Sequence, residues 1–316
     1  MSDTTTTTGS ESARNPLGWI VGVDDSDCSR HAAEWAIVQA QGRTDRVKLV
    51  SAWQIPSAPA LPSVGPMRSY WDVEAFETAT KDTVEQLAAS LRSDAGTVAI
   101  ETQVVLGQSA SVLLDEERDS ELLVVGNRGR GGFSRLVLGS TSTQCATHGT
   151  VPTAVIPSAA EIAPARHLVV GVDGSQTSLD AVAWAVSFAA PGSTVECVNV
   201  WDVTPIAVGA DQFFFPEASD LASERFDHQL DSLLARLDID ADRGITVERR
   251  FVEGRPRQDL AEAANDCDLF VMGARGHGAI GSAILGSIST WLLHHVERPM
   301  VVVPHAPDRS GAGDSE

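Results

Sequence analysis

Two glycine-rich loops carry the residues of this 316-residue chain whose types and spacing could do chemistry. One loop runs from Gly126 to Ser140 and the other from Gly273 to Ser287, and both follow the spacing Gly-x2-Gly-x9-Gly-Ser. Glycine lets backbone N–H groups approach a ligand closely, and a helix that begins at the final serine offers unpaired N–H groups and a partial positive charge. The two loops therefore predict binding sites for a phosphate group.

The first loop is also the most basic spot of an acidic chain. It contains Arg128, Arg130 and Arg135, whereas the whole chain has 43 Asp and Glu against 23 Lys and Arg, a formal charge of -20. A single loop of this kind fits a solvent-facing turn with a helix cap equally well. Two copies at one spacing favour a binding site. Hydroxyl donors are expected on the first turn of the two following helices, at Ser140, Ser142, Ser287 and Ser289.

The two loops belong to two copies of one domain. Gly22 and Gly171, each in an apolar segment near the start of its copy, lie 149 positions apart. The offset has drifted only to 147 at Gly139 and Gly286. A period of this length is too long for a solenoid repeat, so it indicates a tandem duplication.

Within each copy, apolar strands alternate with helices. The expected strands are 19–23, 47–53, 98–105, 122–125 and 153–156, then 168–172, 195–201, 245–252, 269–272 and 300–303. Continuous apolar strands separated by helices predict βαβ units and a parallel sheet covered on both faces. The predicted fold class is α/β, with two tandem open α/β sandwich domains, each holding an about five-stranded, mainly parallel sheet flanked by helices.

The sequence divides at segments of biased composition. The expected parts are a disordered N-terminal tail over 1–16, a first domain over 17–158, a linker over 159–166, a second domain over 167–305 and a disordered C-terminal tail over 306–316. The acidity argues against nucleic acid and anionic membranes as partners. There is no signal-peptide pattern and no paired cysteine motif, so we expect a soluble, cytoplasmic protein.

The motifs together resemble the universal stress protein family, in its tandem, ATP-binding branch. Besides the glycine loops, they comprise Val-Gly-Val-Asp at 21–24 and 170–173 and the closing segments at 151–157 and 298–304. The resemblance spans Trp19 to Pro304 and implies a Rossmann-like fold of the adenine nucleotide alpha hydrolase type. It also implies an adenine nucleotide as ligand, with ATP and a bridging Mg²⁺ as cofactors.

The resemblance assigns roles residue by residue. Asp24 and Asp173 would lie beside adenine and ribose. The side-chain or backbone groups expected to contact adenine are those of Val23, Val172, Ala52 and Val200. The residues expected to hold ribose and phosphates are Gly126, Arg128, Gly129, Arg130, Gly139 and Ser140 in the first copy, and Gly273, Arg275, Gly276, Gly286 and Ser287 in the second. The second loop has fewer cations, so we expect both copies to bind and the first to bind more strongly.

Three further features have ordinary structural interpretations. Asp25 stands where the second copy has Gly174. Its carboxylate could repel a phosphate, but capping of the first helix is its expected role. The acidic run at 115–119 is expected to be a solvated helix face, although Mg²⁺ or a basic partner stays open. His295 corresponds to His148 at the end of the same helix, which favours capping there over metal binding.

Neither loop comes with a recognisable catalytic group. The chain has no Gly-Lys pair of a P-loop, no Ser-His-Asp array and no evident general base, so no catalytic residue is assigned. The sequence favours a nucleotide-dependent regulator of a stress response or of dormancy, with slow ATP hydrolysis as a side activity. The alternative is a scaffold that assembles through its closing strands, with ATP incidental. The resemblance also implies that the closing strands pair the two halves as an internal pseudo-dimer. A homodimer of the whole chain and a protein partner in stress signalling are expected in addition.

Overall fold

The computed structural model describes residues 17–54, 73–129, 138–202, 206–208, 211–213, 216–237, 239, 241–276 and 285–305. The elements of the first half are β1 (Trp19–Gly22), α1 (Asp27–Ala40), β2 (Arg46–Trp53), α2 (Val73–Leu91), β3 (Ala99–Leu106), α3 (Ser109–Glu116), a 3-10 turn (Glu117–Asp119), β4 (Leu122–Gly126), α4 (Ser140–His148) and β5 (Thr153–Ile156). Each predicted strand of this half is present, with ends shifted by one residue at most.

The second half repeats this order and includes a hairpin, whose counterpart in the first half would fall outside the described residues. Its elements are β6 (His167–Gly171), α5 (Gln176–Phe188), β7 (Thr194–Asp202), β8 (Ile206–Val208), β9 (Asp211–Phe213), α6 (Pro216–Leu234), a 3-10 turn (Ala241–Arg243), β10 (Thr246–Gly254), α7 (Pro256–Asn265), β11 (Leu269–Gly273), α8 (Ser287–His295) and β12 (Met300–Val303). The prediction of two α/β halves with mainly parallel strands is confirmed.

The two halves share one ten-stranded sheet, in the order β10-β7-β6-β11-β12-β5-β4-β1-β2-β3. Every neighbouring pair is parallel except the central one, in which β5 and β12 run antiparallel with Ala154 opposite Val301. The prediction that the closing strands pair the halves as an internal pseudo-dimer is therefore confirmed. Both strands are buried throughout, and their outer edges cover each other.

The core lies in two layers, one on each face of the sheet. Helices α1, α2, α5 and α6 cover one face, where Trp35 and Leu230 are among the largest buried side chains. Helices α3, α4, α7 and α8 cover the other face around Leu123 and Phe270. Strands buried on both faces explain the unbroken apolar runs in the sequence. The sheet is thus held between two apolar layers that continue across both halves.

The segment between the halves is fastened to α1. Gln39 is fully buried; its Nε2 donates to Ala163 O at 2.6 Å and its Oε1 accepts from Ala165 N at 3.1 Å. Beside it, the Arg43 guanidinium lies 4.4 Å from the Phe188 ring centroid and donates from Nε to Phe188 O at 2.7 Å. The expected linker is therefore part of the packed structure and couples the two halves.

One interpretation of the acidic run is wrong. Glu117 is fully buried and not on a solvated face. Its Oε1 accepts hydrogen bonds from Thr150 N at 2.5 Å and Thr150 Oγ1 at 3.1 Å, which fixes the turn between α4 and β5. Burial raises the pKa of the Glu117 carboxyl, and the bonds from Thr150 oppose that shift. The run could not reveal this because Thr150 is far away in the sequence.

Two other side chains are also placed by local geometry. Ser26, not Asp25, caps α1, because its side chain accepts a hydrogen bond from Ser29 N while Asp25 adopts a positive φ of 65°. The capping role expected for Asp25 is therefore wrong. His295 Nδ1 lies 2.6 Å from Trp291 O in the last turn of α8, which confirms the helix-end role.

Replacing Gln39 by leucine tests the coupling of the halves. Gln39→Leu keeps the bulk but leaves Ala163 O and Ala165 N without their buried partner. We expect the free energy of unfolding in urea to fall by about 2–4 kcal/mol. The matched control is Gln41→Leu, which removes one exposed hydrogen bond to Asp94 O and should cost less than about 1 kcal/mol. Equal losses in the two variants would contradict the role of Gln39 in coupling the two halves.

Glu117→Gln tests the buried carboxyl through pH. Because the pKa of Glu117 is raised in the folded state, the wild type has its full stability while the group is protonated and loses stability as pH rises through that pKa. Glutamine stays neutral, so the stability of the variant relative to wild type should increase between about pH 4 and about pH 7. Urea unfolding at both pH values measures the difference. Glu116→Gln, which breaks the ion pair with Lys48, is the control.

Candidate functional site

A cleft of about 860 Å³ opens at the carboxyl ends of the strands of the first half. The strand order places β1 between β2 and β4, so the connection after β1 leads to one side of the sheet and β4 lies on the other. Ligands of open α/β sheets bind at such a switch point. The predicted residues that line the cleft are Val23, Asp24, Ala52, Gly126, Arg128, Gly129, Gly139, Ser140 and Ser142. Arg130 lies outside the described residues.

Asp24 joins the end of β1 to the glycine loop. Its Oδ1 accepts from Ser26 N at 3.2 Å and from Ser26 Oγ at 2.6 Å. Its Oδ2 lies so close to Gly129 that a Cβ on that residue would overlap it. The second half repeats the arrangement with Asp173, Ser175 and Gly276. The two motifs that the sequence showed separately are thus in direct contact in both halves.

Gly126 has a packing reason to be glycine. A Cβ at this position would lie 2.7 Å from Cys28 O, so the bare backbone lets β4 approach the first turn of α1. Gly273 has the same relation to Thr177 in the second half, with a contact of 2.9 Å. These glycines shape the floor of each cleft by letting a helix and a strand end lie close together.

One end of the cleft is formed by the N-terminus of α4. Gly139 is the N-cap and has no side chain to cap the helix, and its own N–H donates to Asn127 O at 2.8 Å. The following N–H groups of the first turn have no acceptor within the helix. Ser142 is buried and donates its hydroxyl to Gly126 O at 2.6 Å, so it can meet a ligand only as an acceptor or through its N–H. Ser140 is exposed at the rim.

Arg128 supplies the positive charge of this end. Its Nε is buried and has no hydrogen-bond partner within the part of the chain that the structure describes. A buried donor without a partner costs free energy, so this guanidinium is held beside the cleft with unused hydrogen-bonding capacity. Its charge makes this end of the cleft suited to an anion.

The other end of the cleft, formed by residues of β2, α2 and the segment after β1, is apolar. Val23 is buried and its N–H donates to Val50 O at 2.9 Å, so a backbone contact to a ligand falls to its carbonyl. Helix α2 supplies a wall that was not predicted from the sequence: Phe76, Thr80, Thr83, Val84 and Leu87. The amphipathic pattern of α2 showed its buried stripe, but nothing in it distinguished the residues beside a cleft.

The predicted residues of the second half lie in corresponding places. Val172 N donates to Val198 O at 2.9 Å, Gly286 N donates to Ala274 O at 2.8 Å, and Ser289 Oγ donates to Gly273 O at 3.1 Å. Val200 lies on β7, Arg275 follows β11 and Ser287 begins α8. The described residues on either side of the glycine loop are therefore held by the same contacts in both halves.

Comparison with known proteins fits this repeated framework. The universal stress protein family model matches residues 20–157 and again 164–304. The chain belongs to the universal stress protein family. A universal stress protein of Mycobacterium tuberculosis is 30% identical, with 92% of this chain and 96% of the relative covered. Another, from Mycolicibacterium smegmatis, is 29% identical over 90% and 96%.

Solved structures of this family share the fold. A universal stress protein from Archaeoglobus fulgidus superposes with a TM-score of 0.62 at 15% identity, covering 91% of this chain and 98% of that one. At this identity the likeness concerns the fold alone. The fold of this chain is thus shared with a solved protein of distant sequence.

Other chemistry is not built into the described residues. Burial raises the pKa of the Cys145, Cys197 and Cys267 thiols to about 12, so they stay protonated near neutral pH. Within the described ranges, no three His, Cys, Asp or Glu side chains converge as a metal ligand set would. Nor does any described helix combine the length and apolar character that crossing a bilayer requires.

Gly129→Ala tests the contact between the loop and Asp24. The added Cβ would overlap Asp24 Oδ2 and force this carboxylate off Ser26, with an expected loss of about 1–3 kcal/mol in the free energy of unfolding. Combining it with Asp24→Ala removes the overlap, so the two losses should be less than additive. Additive losses in urea unfolding would show that the two residues do not interact.

Proposed function

We propose that the cleft of the first half binds ATP. The observation that carries the proposal is the combination, in one cleft, of an apolar end at the strand tips and a cationic end at the α4 N-terminus. A volume of about 860 Å³ suits a ligand of nucleotide size. The positively charged Arg128, which lines the cleft, supports an anionic group at the α4 end.

The residues fit the two parts of a nucleotide. Val23 and Ala52, with the α2 wall, offer an apolar slot for adenine. The α4 N-terminus, Arg128 and Ser140 offer N–H, guanidinium and hydroxyl donors for the phosphates. A Mg²⁺ ion, if bound, would bridge phosphate oxygens, because the described residues hold no carboxylate cluster for it.

The site supports holding ATP more than hydrolysing it. Asp24 is the carboxylate that reaches the glycine loop, and its Oδ1 already accepts two hydrogen bonds from Ser26. A base for hydrolysis would have to be placed beside the attacking water at the terminal phosphate, whereas these bonds hold Asp24 at the end of β1. We therefore propose a nucleotide-dependent regulator of a cytoplasmic stress response or of dormancy, in which ATP shifts a conformational or assembly equilibrium. Slow hydrolysis would be a side activity.

The scaffold alternative has less support. Universal stress domains were expected to assemble through their closing strands, but β5 and β12 already pair with each other inside one chain. A homodimer therefore needs another surface, such as the outer strands β3 and β10 at the two ends of the sheet. Partner proteins in stress signalling stay a prediction.

Calorimetric titration with Mg-ATP tests the proposed site. We expect saturable binding, and Arg128→Ala should weaken it at least about tenfold, since hydrogen bonds to charged groups are each worth about 1.5–3 kcal/mol. Gly139→Val should abolish it, because the added side chain enters the phosphate end. The backbone there has room for a Cβ, with 3.5 Å to the nearest atom, so the fold should survive.

The control is Arg118→Ala, which removes an exposed arginine that pairs with Asp115 and should leave binding unchanged. Nucleotide released by heating the freshly purified protein provides a second readout, identified by chromatography. The proposal fails if the protein releases no adenine nucleotide and shows no heat with Mg-ATP.

A further inference from the structure

The walls of the two clefts can be compared residue by residue. Helices α2 and α6 align because Glu85 accepts a hydrogen bond from Thr102 of β3, and Asp231 accepts one from Arg249 of β10 at the corresponding strand position. The buried stripes agree with this alignment, since Val84 corresponds to the fully buried Leu230. Each residue of the α2 wall therefore has a definite counterpart on α6.

The second half carries larger side chains at five positions that correspond to the cleft wall of the first half. The five positions concerned line the cleft of the first half, on α2 and β2. From the first half to the second, the replacements are Thr80 to Phe226, Thr83 to Gln229, Val84 to Leu230, Ser51 to Asn199 and Ala52 to Val200. Together they add about as many non-hydrogen atoms as an adenine ring contains. These residues occupy the end of the cleft that faces the strand tips.

Two of these larger side chains are fixed by hydrogen bonds at the expected adenine position. Asn199 Nδ2 donates to Val172 O at 2.7 Å, which engages the carbonyl expected to contact adenine. Gln229 Nε2 donates to Gly174 O at 3.2 Å, and its Oε1 would lie 2.6 Å from a Cβ at Gly174. Because Gly174 has no Cβ, the side chain of Gln229 has room to lie against the backbone that follows β6.

At other positions the first half has the larger side chain, and these positions lie at the rim of the cleft. The first half has the larger side chain at Asp25, Arg30 and Phe76, but all three are exposed, Phe76 by 41%. Exposed side chains can move away from a ligand, whereas Phe226 and Leu230 are packed into the core. The net difference is therefore a larger volume of buried side chains at this end in the second half, while the sequence spacing of the glycine loop is retained.

We propose that Asn199, Phe226, Gln229 and Leu230 exclude the purine base from the second cleft, so that each chain holds a single adenine nucleotide, in the first half. This inference rests on the proposed function and specifies which half carries it out. It replaces the expectation that both halves bind. The duplicated chain would thus have one nucleotide site and one domain that keeps the framework without the base pocket.

The number of ATP molecules bound per chain tests the proposal, measured by equilibrium dialysis and calorimetry with Mg-ATP on the full chain. We expect one per chain in the wild type, none in Gly139→Val and one in the matched variant Gly286→Val. Two per chain would overturn the inference and leave the proposed function standing. A single bound ATP that is lost in Gly286→Val and kept in Gly139→Val would also overturn the inference. None in the wild type would overturn the proposed function, and the inference with it.

Exchanging the walls provides a second measurement. The filled variant carries Thr80→Phe, Thr83→Gln and Val84→Leu together with Asp25→Gly, because Gln229 requires glycine at the corresponding position 174. It should weaken ATP binding at least tenfold although the phosphate loop is untouched. Thr78→Gln, at an exposed position of the same helix outside the cleft, is the control and should bind normally. The opened variant, Asn199→Ser with Phe226→Thr and Gln229→Thr, should bind a second ATP if circular dichroism shows that it folds. Undiminished binding in the filled variant would contradict the inference.

Discussion

The antiparallel pairing of β5 with β12 is the constraint on which the rest of the structure depends. It joins two parallel five-stranded halves into one sheet, and it makes all strands of one half run opposite to those of the other. Since the cleft of the first half lies at the carboxyl ends of its strands, the corresponding strand ends of the second half lie on the opposite side of the molecule. The same pairing covers the two apolar closing strands and leaves β3 and β10 as the outer edges.

The sequence was sufficient for the framework of the site because that framework is local. A strand buried on both faces, a glycine loop and a helix start are each encoded within a few residues, and two copies removed the ambiguity of one. Asp24 and Gly129 illustrate the limit of this reasoning. Their separate motifs were recognised, but their direct contact follows only from the order of β1 and β4 in the sheet.

Residues whose role depends on distant partners could not be predicted. Glu117 was interpreted as solvated because its neighbours in the sequence are charged, yet Thr150 holds it in the interior. Thr83 and Gln229 are ordinary residues of amphipathic helices, and their importance follows from the cleft beside them. The duplication thus kept what backbone geometry requires, while the side chains around it diverged.

The packed segment between the halves also determines how the two halves of this universal stress protein can be studied separately. The segment 159–166 is short and hydrogen-bonded to the buried Gln39. A chain cut in this segment would lose these hydrogen bonds, and the edge of β5 that pairs with β12 would be exposed. A short, fully apolar edge strand is a template for self-association, and such a fragment would pair with its own copies or aggregate. The contributions of the two halves are therefore separable by substitution within the intact chain and not by truncation.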